Sequence, residues 1–274
     1  MRLDSHQHFW NYDPAEYPWI TDKLARIRRS FLPPDLEPEL KRASIDGCIA
    51  VQARQTIEES RWLLGLADRF SFVKGVVGWV DLRADDVEKD LDTLARRPNF
   101  VGVRHVAQDE PDDRFLVGKD FLRGIAKLKQ FGLAYDILIF PKQLPAAIEL
   151  VNRFPEQRFV LDHIAKPNIR ENLMEPWRTQ IQELAKAQNV MCKLSGLVTE
   201  AKWDSWNQAE FLPYIDVVAE AFGPNRLMYG SDWPVCLLAA QYRDVFGMIE
   251  RWIGKRSCDG IFGENCVRFY QIAR

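Results

Sequence analysis

Eight short apolar runs recur along the chain, at residues 3–10, 45–52, 72–80, 100–106, 133–139, 158–163, 190–195 and 226–232. Runs of this length, rich in Val, Ile, Leu and Phe, read as buried strands. Between them the apolar residues return every three or four positions, the helical period. Trp62, Leu63, Leu66 and Ala67 share one side of a helix predicted over 56–70, and Val87, Leu91, Leu94 and Ala95 one side of a helix over 85–96. Further helices are predicted over 121–131, 142–153, 177–187 and 212–222, and two more, over 241–253 and 265–272, are expected to complete an outer ring.

Strand–helix alternation predicts a parallel sheet, and eight such units close most naturally into a single (β/α)8 barrel domain spanning residues 1–274. The rival, an open doubly wound sheet, wants a glycine-rich turn after an early strand, and no GxGxxG occurs. Residues 11–41 break the rhythm with Pro14, Pro18, Pro33, Pro34 and Pro38, and read as one long irregular stretch. Loops of that length inside a compact domain tend to be functional. Its Tyr12, Tyr17 and Trp19 are expected to roof a pocket or to pack on the barrel rim.

Composition narrows the choice of partner. With 37 Lys and Arg against 39 Asp and Glu the formal net charge is −2, and no long run of one sign stands out. Neither a nucleic-acid surface nor a polybasic membrane arm is indicated, so a small molecule is the expected partner. Cys48, Cys192, Cys236, Cys258 and Cys266 are odd in number, widely spaced and form no CxxC, which argues against a disulfide framework and a thiolate zinc site. The chain turns polar at Asp4 without an apolar leader core, and no run approaches the roughly 18 apolar residues of a spanning helix. A cytoplasmic protein with reduced thiols is expected, and a homo-oligomer stays open.

In such a barrel the chemistry sits at the C-terminal ends of the strands. The conspicuous polar residues fall there: His6 and His8, Gln52, Arg104 and His105, Asp136, His163, Lys193 and Ser195, and Asp232. So many charged groups around one axis are costly unless they serve a ligand. His6 and His8, two residues apart on a strand, should project together. Arg104 and His105 are adjacent, so only one of them can face the barrel axis. If His163 points inward, alternation sends Asp162 toward the helices, and Lys193 and Ser195 share a face that leaves Cys192 and Leu194 outside.

The residues His6-Gln7-His8, Asp162-His163 followed by Ala165-Lys166-Pro167, Lys193-Leu194-Ser195-Gly196-Leu197, and Gly230-Ser231-Asp232-Trp233-Pro234 together resemble the amidohydrolase superfamily. Within it they are most similar to the hydrolases of sugar lactones and dicarboxylate lactones, from residue 3 through Ile261-Phe262-Gly263-Glu264-Asn265. The resemblance implies a distorted (β/α)8 barrel that opens a cyclic ester with water. Asp232 then acts as general base, while His163 with Lys193 or Arg104 polarises the ring carbonyl. It also implies that His6, His8, His163 and Asp232 correspond to positions that hold a divalent metal in relatives. No histidine stands on the seventh strand, where Lys193 appears instead, so one ion such as Zn2+ is expected at most, and not as a requirement for activity. Trp19, Gln52, Arg104, His105, Asp136 and Trp233 are expected to contact substrate. A dicarboxylate lactone would call for several inward arginines, and only Arg104 is placed for that, so a neutral sugar lactone is preferred. A metal-dependent dicarboxylate-lactone hydrolase or decarboxylase on the same scaffold, and a non-enzymatic sugar-acid binder, are the competing readings.

Overall fold

The computed structural model describes residues 1–254 and 259–273. Its strands are β1 (Leu3–Gln7), β2 (Gly47–Val51), β3 (Val73–Gly78), β4 (Phe100–His105), β5 (Ala134–Ile137), β6 (Phe159–Leu161), β7 (Val190–Leu194) and β8 (Leu227–Tyr229). All pair parallel with their sequence neighbours, in the order β1 to β8. The helices are α1 (Pro33–Arg42), α2 (Ile57–Arg69), α3 (Val87–Ala95), α4 (Lys119–Leu128), α5 (Leu144–Arg153), α6 (Trp177–Leu184), α7 (Leu212–Phe222), α8 (Tyr242–Ile253) and α9 (Glu264–Tyr270). This is the expected (β/α)8 barrel. Each strand is shorter than its apolar run.

Period-two burial sorts each strand between two cores. On β7, Val190, Cys192 and Leu194 pack outward against the helices, whereas Met191 belongs to the barrel interior with Leu3, Val77, Val160 and Met228. Cys48, Cys192, Cys236 and Cys266 are free and buried; Cys258 lies outside the described residues. No helix among those residues is long and apolar enough to cross a membrane.

Two expectations need correction. Residues 33–42 form α1 instead of continuing the irregular stretch: Pro33 and Pro34 sit in its first turn, where a missing N–H costs nothing, and the Asp35 carboxylate accepts the Leu32 N–H. The second concerns α9, which does not join the outer ring. Its Cys266, Val267, Phe269 and Tyr270 pack with Val101, Ala134, Val160 and Met191, residues at the starts of their strands, so α9 plugs the N-terminal end of the barrel. Access is left at the opposite mouth.

Candidate active site

The barrel closes where its chemistry lies. β1 and β8 share no regular ladder; beyond the end of β8 the Asp232 N–H donates to the His6 carbonyl at 2.8 Å and the His8 N–H to the Trp233 carbonyl at 2.7 Å. Buried Asp4 staples the same seam, accepting the Ser231 N–H at 2.9 Å and the Tyr242 hydroxyl at 3.2 Å. Gly230 lets the strands approach, since a Cβ there would lie 2.7 Å from the His6 Cβ. On β1, Asp4 to Gln7 spans three steps against the two from Cys48 to Ala50 on β2. That bulge shifts the alternation by one and turns His6 inward although Leu3 already faces in.

β6 supplies two groups where alternation allows one. It stops at Leu161, and His163, Ile164, Ala165 and Lys166 all take left-handed backbone, with φ of 53°, 48°, 60° and 48°. Regular alternation from inward Val160 turns Asp162 inward, and the left-handed run brings His163 in beside it, contrary to the expectation that Asp162 would brace the helices. Such conformations cost about 1–2 kcal/mol per residue, and burial of Ile164 and Ala165, with the Trp177 indole donating to the Ile164 carbonyl at 2.7 Å, holds them. Gly196 is required beneath, because a Cβ there would come within 2.6 Å of the His163 ring.

Three imidazoles converge on one carboxylate. Asp232 Oδ1 lies 3.4 Å from His8 Nε2, 3.8 Å from His6 Nε2 and 3.9 Å from His163 Nε2. His8 Nδ1 is 2.8 Å from the Val51 carbonyl, so its proton sits there and Nε2 turns a lone pair to the site. Ser195 Oγ holds His163 Nδ1 at 2.9 Å. Burial keeps the His6 and His163 imidazoles well below their ordinary pKa, against the opposing charges of Asp162 and Asp232. Burial raises the Asp232 carboxyl, but His163, His8 and Lys166 around it outweigh that, so this carboxyl sits below its usual value. At neutral pH Asp232 is an ionised carboxylate beside the neutral imidazoles of His6 and His163.

Beneath lies a sealed ionic layer. Lys193 Nζ pairs with Asp136 and, at 3.0 Å, with Asp162, and stands 3.3 Å from His6 Nδ1. Arg104 Nη1 reaches Asp162 at 3.1 Å and His6 Nε2 at 3.3 Å. Tyr270 from the plug donates to Asp136 at 2.7 Å. Burial pushes the Asp136 carboxyl up to about 6 despite Lys193, whereas in Asp162 the charges of Lys193 and Arg104, with the hydrogen bond from His6, overcome burial and carry it well down.

Above the floor opens a cavity of about 810 Å³, lined among others by His8, Trp19, Arg54, Gln55, Arg104, Gln108, His163, Lys166 and Asp232. Trp19 and Arg104 thus stand where substrate contact was expected. Four expected contacts do not line it. His105 turns outward, stacked on Phe115 and held between the Trp79 indole and Glu110, as strand alternation with inward Arg104 demands. Gln52 is spent on Arg104, donating to its carbonyl and accepting from its guanidinium at its own. Asp136 is sealed below with Lys193, and Trp233 packs edge-on against Phe9 and Phe31. Lys193, expected to polarise the carbonyl, is fully buried and lines no part of the cavity.

Sequence reasoning missed Arg54, which ion-pairs with Glu16, and the fastening of the covering loop: the Tyr17 hydroxyl donates to Glu59 at 3.0 Å, and Glu59 accepts the Ala53 and Arg54 N–H groups at 2.8 Å each. Glu59 stands three residues after Thr56, whose hydroxyl caps α2, a capping-box spacing that hinted at its role.

His6, His8 and Asp232 form one group of possible metal ligands, and His6, Asp162 and His163 another, in each case with donor atoms within 4.8 Å of one another. The first set fits one zinc ion in donor type, since His8 already turns its lone pair inward.

Across its length the chain is 43% identical to an L-fucono-1,5-lactonase of Burkholderia multivorans, covering 99% of this chain and 96% of that protein. It is 40% identical to an L-fucono-1,5-lactonase of Burkholderia ambifaria, covering 100% and 97%. A crystal structure of an amidohydrolase from Burkholderia multivorans with bound zinc superposes with a TM-score of 0.96 at 40% identity, covering all of both chains. The Amidohydrolase family model matches residues 3–272, and the protein belongs to that family.

Proposed function

We propose that this enzyme hydrolyses a neutral aldonolactone to its aldonic acid, with L-fucono-1,5-lactone the first candidate. The carrying observation is the convergence of His6, His8 and His163 on Asp232 at the cavity floor. An ionised carboxylate there accepts a proton from water as the water attacks the ring carbonyl. His163, fixed by Ser195 and lining the cavity, stabilises the oxygen that gains charge. Asp232 then returns the proton to the departing ring oxygen. Lys193 acts from below by holding His6 and Asp162 in place.

The wall favours a polyhydroxylated ring: Gln55, Gln108 and Thr56 offer hydrogen bonds, Trp19 offers a face for its apolar side, and Arg54 and Arg104 already have carboxylate partners. When a divalent cation is bound, His6, His8 and Asp232 would hold it, and it would add Lewis-acid polarisation of the carbonyl. Lactones are activated esters and need less such help than amides. A panel of aldonolactones followed with a pH indicator tests the reading, with opening of the fucono-configured lactone expected. Asp232→Asn should lower turnover by about 100-fold or more; no turnover on the panel, or a fully active Asn variant, would overturn it.

A further inference from the structure

Lactone opening changes the charge in the cavity, and one side chain is placed to meet that change. The water oxygen bonds to the carbonyl carbon and the ring carbon–oxygen bond breaks. One water proton passes through Asp232 to the former ring oxygen, and the other leaves as the new acid ionises. A neutral ligand thus becomes a carboxylate beside the Asp232 carboxylate, and like charges repel strongly at such range in a cleft of low dielectric.

The cavity lining holds three cationic side chains, Arg54, Arg104 and Lys166. Arg54 is paired with Glu16, and Arg104 is committed to Asp162, His6 and the Gln52 carbonyl. Lys166 differs. Its Nζ lies over the Phe140 ring, 5.4 Å from the centroid, and no carboxylate oxygen among the described residues comes within 4.0 Å of it. The backbone points the same way. Lys166 closes the left-handed run that begins at His163, its N–H donating to the His163 carbonyl at 2.8 Å, and it precedes Pro167, a position that resists such a conformation. A strained run held by burial, with side chains at both ends lining one cavity, marks a functional constraint.

We propose that Lys166 is a catalytic residue of this reaction: its ammonium binds the carboxyl oxygens as they gain negative charge, stabilising the transition state and setting the affinity for the aldonate product. The inference rests on the lactonase reading and adds a residue to it. Its three donors and lack of any acceptor suit an oxyanion, and the flexible stem on Phe140 lets the charge follow the opening ring.

The test is Lys166→Met, which keeps the length and the apolar stem and removes the charge. On the lactone that wild type opens, kcat should fall about 100-fold, as for loss of one oxyanion donor, while KM for the neutral lactone moves little. Inhibition by the corresponding aldonate should weaken by about tenfold or more, and Lys166→Arg should recover most of that affinity. Lys166→Gln gives the same readout should the Met variant fail to fold. An uncharged variant whose kcat and aldonate inhibition both stay within about twofold of wild type overturns the assignment, as does a loss confined to thermal stability. Failure of wild type on the whole panel removes the lactonase reading and this inference with it, whereas wild-type turnover beside an indifferent Lys166→Met variant removes this inference alone.

Discussion

The two layers at the barrel mouth use the same kinds of side chain to opposite ends. In the upper layer Asp232 meets three imidazoles at 3.4–3.9 Å, distances that leave it room for a further partner on the cavity side. In the lower layer, 3.0 and 3.1 Å separate Asp162 from Lys193 and Arg104, and Tyr270 closes Asp136 from beneath. Loosely held charge facing a cavity can react. Charge paired with opposite charge, out of water, positions what lies above it and carries a large penalty when one partner is removed. The chemistry therefore depends on groups it never touches.

Removing a partner from the lower layer should have the largest effect on stability. Lys193→Met leaves Asp136 and Asp162 buried without their common cation, a loss of about 3–5 kcal/mol, read as a fall in Tm of roughly 10 °C or more. A variant as stable as wild type would mean that Lys193 is not the keystone of that layer. In the upper layer the expectation reverses. Asp232→Asn, which costs about two orders of magnitude in turnover, should lower Tm by only about 3 °C or less, because its imidazole neighbours stand 3.4–3.9 Å away and the amide stays polar at the cavity floor. Parallel losses of stability and turnover at both positions would erase the distinction between the layers.

The barrel was legible because strand and helix periods differ and repeat eight times, and the upper layer because histidine and aspartate at strand ends have few other reasons to be there. What escaped was set by departures from period. The bulge in β1 moves His6 and the left-handed run after β6 moves His163 across the sheet, so alternation counted from His163 put Asp162 on the wrong side. Lys193, Asp136 and Gln52 lie at the right ends of their strands but one level too deep, a difference of depth along the axis that a one-dimensional pattern does not carry. Trp233 and His105 were expected inside for their chemistry, whereas packing on Phe9 and Phe31 and on Phe115 fixes them elsewhere. α1 was hidden by its own prolines, and α9 showed a helical period with no sign of which surface it would cover.

The plug offers a milder way to probe the lower layer. Tyr270→Phe keeps the ring that fills the barrel bottom and removes the hydroxyl that donates to Asp136 at 2.7 Å, with Lys193 still in place. A hydrogen bond to a charged group contributes about 1.5–3 kcal/mol, so urea unfolding should show a loss near the lower end of that range. Turnover should fall only as far as His6 shifts with the layer beneath it. An unchanged midpoint would detach the plug from the site.

The smallest effect belongs to a buried carboxylate outside both layers, which isolates what the cations do. Glu59 is held by the Tyr17 hydroxyl and two backbone N–H groups, with no ammonium or guanidinium of the described residues bonded to it, and burial pushes its carboxyl up to about 7 whereas Asp162, flanked by cations, is carried down. Because the folded value exceeds the unfolded one of 4.5, the folded state holds the extra proton between these values. Its contribution to stability is therefore complete below pH 4.5 and is lost as pH rises through 7. Glu59→Gln cannot ionise, so the stability difference between variant and wild type should shift in favour of the variant as pH climbs across that window. Parallel Tm profiles for the two proteins would show Glu59 ionised throughout, and hydrogen bonds alone would then hold a buried carboxylate as firmly as the cations hold Asp162.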